Sequence, residues 1–135
     1  VKTLKALAEI PEDKRSKGVK NTIEEEAEHM LKHYIYKRSH DLCQVSIPKW
    51  LQLGFPLMWN TDVLEILGIL TKLGYRDKRM QDAVDLVASK QSEEGRWKLE
   101  STYNGRFQVN IERKGEPSKW VTLNAFKVLK RFYSD

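Results

Sequence analysis

A short motif returns after a long interval in this chain, and that repeat limits the folds the chain can adopt. Residues 56–61 read P-L-M-W-N-T and residues 117–122 read P-S-K-W-V-T, so the pattern P-x-x-W-x-T recurs 61 residues later. Each copy precedes an apolar stretch with helical spacing. A period of this length is typical of stacked helical units that bury their faces against one another. The repeat therefore predicts an all-α fold built from helical hairpins.

The spacing of apolar residues predicts five helices. They cover about 1–9, a segment that starts at Thr22, and about 60–73, 78–90 and 119–133. Thr22 and Glu25 form the pattern of a capping box at the start of the second helix. Gly74 ends the third helix, and Asp77 can cap the fourth. The first, third and fifth helices are three copies of one unit, with repeats starting near residues 1, 59 and 120.

The width of the apolar face alternates from helix to helix. The third helix is apolar around much of its circumference, whereas the second and fourth carry a narrower stripe. Broad faces are typical of an inner layer and narrow stripes of an outer one. This alternation favours an α/α toroid, here a partial barrel of about five helices, and the length of 135 residues favours a single domain, 1–135.

The hydrophobic period changes between residues 97 and 111. Apolar residues alternate with polar ones on both sides of Asn104-Gly105, at Trp97, Leu99, Phe107, Val109 and Ile111. An Asn-Gly pair between two alternating runs favours a tight turn. We therefore expect a short β-hairpin insertion near 97–111.

Residues 91–97 follow a predicted helix and read Q-x-x-x-G-x-W. This segment resembles the QW repeat of the terpenoid cyclase and protein prenyltransferase superfamily, whose fold is an α/α toroid. Nearly the whole chain is similar to the C-terminal half of uncharacterised prokaryotic proteins described as prenyltransferase or squalene-oxidase repeat proteins. The matching stretches are residues 26–33, residues 54–56 with Trp59 and Asp62, residues 91–97 with Leu99 and Glu100, and residues 117–120 with Thr122. That description reports the repeat and not a reaction, so the resemblance implies a fold rather than a chemistry.

The repeat residues have readable structural roles. The Gln91 side chain can satisfy free backbone groups at the end of an outer helix. Gly95 permits a left-handed turn, and Trp97 can pack its large face between successive hairpins. We assign a structural role also to the repeated positions Pro56, Thr61, Pro117 and Thr122.

The chain lacks the catalytic motifs of that superfamily. It contains no D-x-D-D acid cluster. Asp41-Leu42-Cys43 spells the D-x-C of the zinc-dependent prenyltransferases, but no histidine follows His40, so the zinc set is incomplete. His29 and His33 have the spacing of metal ligands on a helix, yet charged neighbours favour a solvent-exposed face. We therefore predict no catalytic residue, metal or cofactor in this segment.

Four residues are candidates for a ligand cavity in the concave interior: Trp59, Asp62, Trp120 and Asn124. They lie near the starts of two broad-faced helices, which the toroid would direct inward. Asp62 also fits a simpler interpretation, because an acidic residue in the first turn of a helix is stabilised by the helix dipole.

Charge and composition limit the partners. The net charge is +5, but its 24 basic residues are spread along the chain and interrupted by acidic runs, so we expect no nucleic acid. No apolar run approaches the roughly 20 residues of a membrane span. The single cysteine, Cys43, excludes an internal disulfide and favours a cytoplasmic location.

These patterns lead to one functional hypothesis and two alternatives. The first is a non-catalytic helical-repeat domain that binds a small or apolar ligand in its interior. The second is an isoprenoid- or terpenoid-modifying enzyme whose acid or metal site is completed upstream. The third is a protein–protein scaffold. Because the chain starts inside a helix and covers half of the similar proteins, we expect a fragment whose first helix exposes an apolar flank and favours homodimers.

Overall fold

The computed structural model describes residues 1–134, which form five α-helices and one two-stranded antiparallel sheet. The helices are α1 (Lys2–Ala8), α2 (Lys17–Lys32), α3 (Val63–Lys72), α4 (Gln81–Ser89) and α5 (Lys119–Tyr133). The strands are β1 (Lys37–Arg38) and β2 (Asp41–Val45). Short 3-10 helices cover Glu12–Lys14, Pro48–Leu51 and Lys78–Met80. The prediction of five helices is confirmed. None of the helices in residues 1–134 combines the length and apolar character needed to cross a bilayer.

Helix α3 lies at the centre of the helical packing. It contacts α1 on one side, α5 on the other, and α4 as well. Helix α2 packs against α1, and α4 also packs against α5. Helices α1, α3 and α5 therefore form a row, with α2 and α4 packed against it. Seven of the ten residues of α3 are buried, because it is covered on several sides as its broad apolar face predicts.

One hydrophobic core connects the ends of the chain. It runs from Leu4 in α1 to Val128 in α5 and contains fully buried residues of α3 such as Ile66 and Leu67. Burial of this shared core holds the three helices of the row together. It fixes which face of each helix remains free to line a cavity.

The start of α2 differs from the capping-box prediction. The helix begins at Lys17, five residues before Thr22, because Ser16 is the N-cap and its Oγ accepts a hydrogen bond from the Val19 N–H at 3.3 Å. Thr22 lies inside the helix and donates its hydroxyl to the Gly18 carbonyl at 3.0 Å. The predicted cap was wrong because two Ser/Thr residues compete for one helix start, and the apolar stripe does not distinguish them.

The predicted β-hairpin near 97–111 is absent from the described residues. The segment 97–99 pairs instead with the stretch that leads into α5: the Leu99 N–H donates to the Glu116 carbonyl at 2.9 Å, and the Ser118 N–H donates to the Trp97 carbonyl at 2.8 Å. Trp97 and Leu99 are fully buried, whereas Val109 and Ile111 are exposed. The alternation correctly predicted an extended segment at 97–99. This segment pairs with residues 116–118 rather than with 107–111, because Trp97 and Leu99 are buried in the core. The observed hairpin is β1–β2, at residues 37–45.

The apolar flank expected on α1 is also placed differently. Among residues 1–134, α1 has no large exposed hydrophobic side chain, because Leu4 and Ala8 are buried in the shared core. The last helix carries several: Trp120, Leu123, Phe126 and Tyr133. The exposed apolar surface of the row therefore lies at its α5 end.

Candidate functional site

A cavity of about 570 Å³ opens along the row formed by α1, α3 and α5. The loop 54–58 closes one part of its wall. The lining residues of α1 and its C-cap are Lys5, Ala8 and Glu9; those of α3 are Leu64, Glu65, Gly68, Ile69 and Lys72; those of α5 are Asn124, Lys127, Val128 and Arg131. In each helix these residues recur at intervals of three or four, so each helix presents a single face to the cavity.

The floor of the cavity is apolar and contains a glycine. Leu64, Ile69 and Val128 are buried and line it, with Gly68 between them on α3. A Cβ atom added at Gly68 would have as its nearest neighbour the Val128 Cγ2 atom, 4.0 Å away. Packing does not require a glycine here, although glycine inside a helix costs about 0.5–1 kcal/mol relative to alanine. Gly68 therefore leaves room in the floor.

Charged side chains surround this floor. The Lys72 Nζ atom lies 2.6 Å from Glu9 Oε1, which joins α3 to α1. Glu65 has a largely buried side chain and accepts hydrogen bonds at 2.9 Å from both Lys2 and Lys5. These pairs tie the two helices together across the mouth of the cavity. On the opposite side, Lys127 and Arg131 make no ion pair with any residue of 1–134.

Asp62 is the N-cap of α3 and is almost completely buried, at 1% exposure. Its Oδ1 atom accepts a hydrogen bond from the Glu65 N–H at 2.7 Å, and its Oδ2 atom accepts one from the Gly54 N–H at 2.9 Å. The carboxyl group therefore starts the helix and also fastens the loop 54–58 to it. Asp62 positions one wall of the cavity.

The environment of Asp62 also changes its acidity. Burial raises the pKa of the Asp62 carboxyl to about 6, against the opposing effect of the backbone N–H groups that donate hydrogen bonds to it. The nearby Glu65 carboxylate contributes to the rise. A buried carboxyl group with a raised pKa beside a cavity is a feature of many functional sites.

The structure brings together two of the four predicted cavity residues. Asp62 and Asn124 both contribute to the lining. Trp120 is 46% exposed and stacks on Phe55, a lining residue, with ring centroids 5.0 Å apart. Trp59 is 71% exposed and packs edge-on against Tyr103, and it does not line the cavity. The two tryptophans thus lie beside the site or outside it.

Sequence reasoning missed most of the lining. Glu65, Gly68 and Lys72 follow Asp62 at the spacing of one helix face, and Lys127 and Arg131 follow Asn124 in the same way. Extending the face of each predicted residue along its helix would have identified them. The lining residues of α1 could not be found in this way, because no cavity residue was predicted in that helix from which to extend a face.

The residues of the repeat segment link α4 to α5. Gly95 has a φ of +77°, the left-handed region that glycine favours. Trp97 is fully buried and donates its indole N–H to the Val87 carbonyl at 2.7 Å. Gln91, expected to satisfy such groups, makes no side-chain hydrogen bond within residues 1–134. The end of α4 is satisfied by Trp97 and by backbone N–H groups instead.

The other repeat positions are divided between the cavity and the α5 end. Pro56 lines the cavity, and Thr61 lies in the loop before α3. Pro117 forms an isolated bridge with Lys98. Thr122 accepts a hydrogen bond from the Trp97 N–H at 3.0 Å.

The D-x-C segment, residues 41–43, lies in strand β2. Asp41 accepts a hydrogen bond from the Cys43 N–H at 3.1 Å, a local turn contact, and Cys43 is exposed. Among the described residues, no three His, Cys, Asp or Glu side chains converge on one point. The segment therefore offers no three-ligand metal centre within residues 1–134.

The chain matches no protein-family model, no curated protein and no solved structure. The geometry of the cavity and the sequence patterns are therefore the basis for assigning a function.

Proposed function

We propose that this chain is a non-catalytic helical-repeat domain of the terpenoid-cyclase or prenyltransferase type that binds a small apolar molecule in the cavity along α1, α3 and α5. The observation that carries the proposal is the cavity itself, about 570 Å³ and lined by one face of three successive repeat helices. Pockets that hold small molecules typically measure about 300–1,000 Å³. This one combines an apolar floor with eight charged or amide side chains among its eighteen lining residues.

The order of the helices supports a toroid as the setting of this site. Helices α1, α3 and α5 stand in a row, and the two intervening helices, α2 and α4, pack against that row. In a toroid the corresponding helices form an inner ring and an outer ring. We therefore assign the row to an arc of the inner ring and the cavity to its concave face.

The environment of Asp62 favours a binding role over a catalytic one. Both carboxyl oxygens accept backbone hydrogen bonds, from Gly54 and Glu65, so the group is engaged in holding the loop and the helix. The paired charges around the cavity, such as Lys72 with Glu9, likewise connect helices. A ligand would be held mainly by the apolar floor, where burial of its surface contributes about 25 cal/mol per Å².

Binding can be tested with N-phenyl-1-naphthylamine, a neutral probe that fluoresces in apolar surroundings. The wild-type protein should bind it saturably, and straight-chain alcohols of increasing length should displace it. Gly68→Leu places a side chain in the floor of the cavity and should weaken binding by about tenfold or more, the effect of one or two misplaced methylene groups in an apolar pocket. Retention of the wild-type circular dichroism spectrum would show that the variant is folded.

Gly18→Leu is the matched control. Gly18 lies in the first turn of α2 on an exposed position, and an added Cβ there meets only Ser16 Oγ, at 3.9 Å. The same chemical change therefore leaves the cavity open, and binding should be unchanged. Equal binding by both variants would place the probe elsewhere and contradict the proposal. Absence of saturable binding in the wild-type protein would favour the scaffold alternative, with the exposed Trp120 and Phe126 as contact residues.

An enzymatic role is the second candidate, and the raised pKa of Asp62 is the observation in its favour. A carboxyl group with a pKa of about 6 can exchange a proton near neutral pH. Turnover of a prenyl diphosphate or a polyene by the protein, lost in Asp62→Asn with the cavity intact, would establish this role. Unchanged turnover in that variant would remove Asp62 from the chemistry.

A further inference from the structure

Two histidines lie next to each other near the end of α2, outside the cavity described above. His29 and His33 are one helical turn apart, and their ring centroids are 4.8 Å apart, with the ring planes inclined by 59°. Two imidazoles bound side by side to one metal ion, at nitrogen–metal distances of about 2.0–2.1 Å, have centroids about 5 Å apart. The separation of the two rings already fits a shared ion.

A backbone contact fixes the form of one ring. The Nδ1 atom of His33 lies 2.9 Å from the Lys37 carbonyl oxygen. A carbonyl oxygen can only accept, so in the neutral ring Nδ1 carries the proton and Nε2 has the free electron pair. Histidines that bind metals commonly use this arrangement, because the second hydrogen bond orients the ring and defines its tautomer.

The surroundings leave the two rings accessible. His29 is exposed and makes no side-chain hydrogen bond with any residue from 1 to 134. Both rings line a small pocket of about 200 Å³ between α2 and the segment after β2, where Ser46 also contributes. Lys37, which lines the same pocket, is paired with Asp82, and this pairing reduces its repulsion of a bound ion.

We propose that His29 and His33 form a two-histidine site for a divalent first-row transition metal ion. No third protein ligand converges on this point in the described part of the chain, so water completes the coordination. Imidazole ligands suit copper, nickel and zinc, and the order of affinities places Cu²⁺ above Ni²⁺ and Zn²⁺. The ion joins two successive turns of α2 and stabilises the end of that helix.

Calorimetric titration with Cu²⁺ and with Zn²⁺ tests the site, in a Cys43→Ser background that removes the exposed thiol as a competing ligand. One ion should bind per chain, with Cu²⁺ tighter than Zn²⁺. His29→Ala and His33→Ala should each weaken binding by about tenfold or more. His40→Ala is the matched control, because His40 lies at the exposed turn between β1 and β2 and should leave the affinity unchanged.

Nuclear magnetic resonance gives a readout that a general surface effect would not produce. Addition of Zn²⁺ should shift the imidazole signals of His29 and His33 together and leave those of His40 in place. The melting temperature should rise with metal in the Cys43→Ser protein and not in the two alanine variants, since only binding to the folded state stabilises it. Failure to bind either ion, or equal losses in all three histidine variants, would overturn the proposal.

Discussion

The two copies of P-x-x-W-x-T share their letters but not their structure. Residues 56–61 form a loop before α3, whereas residues 119–122 of the second copy already belong to α5. The helix after the first copy begins only at Val63, because its cap, Asp62, follows the motif. The second copy contains its own cap, Ser118, one residue after its proline. A motif period of 61 residues thus corresponds to helix starts that are 56 residues apart.

The comparison shows that a repeated pattern locates a helix but that the capping residue determines where it begins. Asp62 and Ser118 are each 1% exposed, and each accepts a hydrogen bond from the N–H three residues later. They differ in charge and in what else they hold. Asp62 fastens the loop at Gly54, and Ser118 donates to the Glu112 carboxylate at 2.9 Å. Substitutions at equivalent positions should separate these roles.

The largest expected difference concerns pH, because only one of the two caps is ionisable. Burial raises the folded-state pKa of Asp62 from the ordinary value of about 4 to about 6. Its contribution to stability is complete below about pH 4 and is lost as the pH rises through 6, at a cost of about 2–3 kcal/mol. The free energy of unfolding can be measured by urea denaturation from pH 4 to 7. As the pH rises, it should decrease more for the wild-type protein than for Asp62→Asn.

The difference in the free energy of unfolding between wild type and Asp62→Asn isolates the contribution of the Asp62 carboxyl. Carboxylates with the opposite shift, such as Asp77, whose pKa is lowered by Arg79, are present in both proteins and cancel in the difference. A difference that stays constant across this pH range would mean that Asp62 is not desolvated in the folded protein.

Asp62→Ala should be the more damaging of the two cap deletions, with a loss of about 2 kcal/mol at pH 7. It removes the cap of α3 and leaves the buried Gly54 N–H without its acceptor, which costs more than loss of a cap alone. Removal of the buried charge recovers part of that loss. Chemical denaturation measures the total, and faster amide exchange at Gly54 would identify release of the loop.

Ser118→Ala should destabilise the protein by about 1 kcal/mol, the usual value for the loss of a neutral N-cap. Its partner, Glu112, retains its contact with the Lys119 N–H at 3.0 Å, so no charge is left without a donor. The appropriate control is Ser16→Ala, the exposed cap of α2, which should have a smaller effect. If Ser118→Ala lowered the free energy of unfolding as much as Asp62→Ala does, the two caps would contribute equally to stability, and the proposed difference between them would be wrong.

The final positions of the two motif copies should give the smallest difference. Thr122→Val removes the acceptor of the Trp97 N–H and should cost about 1 kcal/mol. Thr61→Val is the same change in the first copy, where the side chain has no hydrogen bond with residues 1–134, and should lie within about 0.5 kcal/mol of wild type. Melting temperatures of the two variants, measured side by side, test this difference. Equal shifts would contradict the assigned role of Thr122.

The candidate site was predictable where one helix face carried the information. Asp62 and Asn124 were identified, and the helical period connects them to Gly68 and Lys127. The tryptophans misled because an aromatic residue at a repeat position is a strong pattern, although Trp59 precedes its helix and faces solvent. The start of a helix sets which face each residue occupies, so an error of a few residues changes the assignment of a whole motif.

The sequence by itself determined the five helices, their order, the broad apolar face of α3 and the left-handed glycines at Gly74 and Gly95. These depend on the period of apolar residues and on backbone conformations, both local properties. Tertiary structure alone decided the pairing of segment 97–99 with the approach to α5 and the burial of Asp62. Each of these depends on contacts between residues distant in the chain, whose energies select among several locally acceptable arrangements.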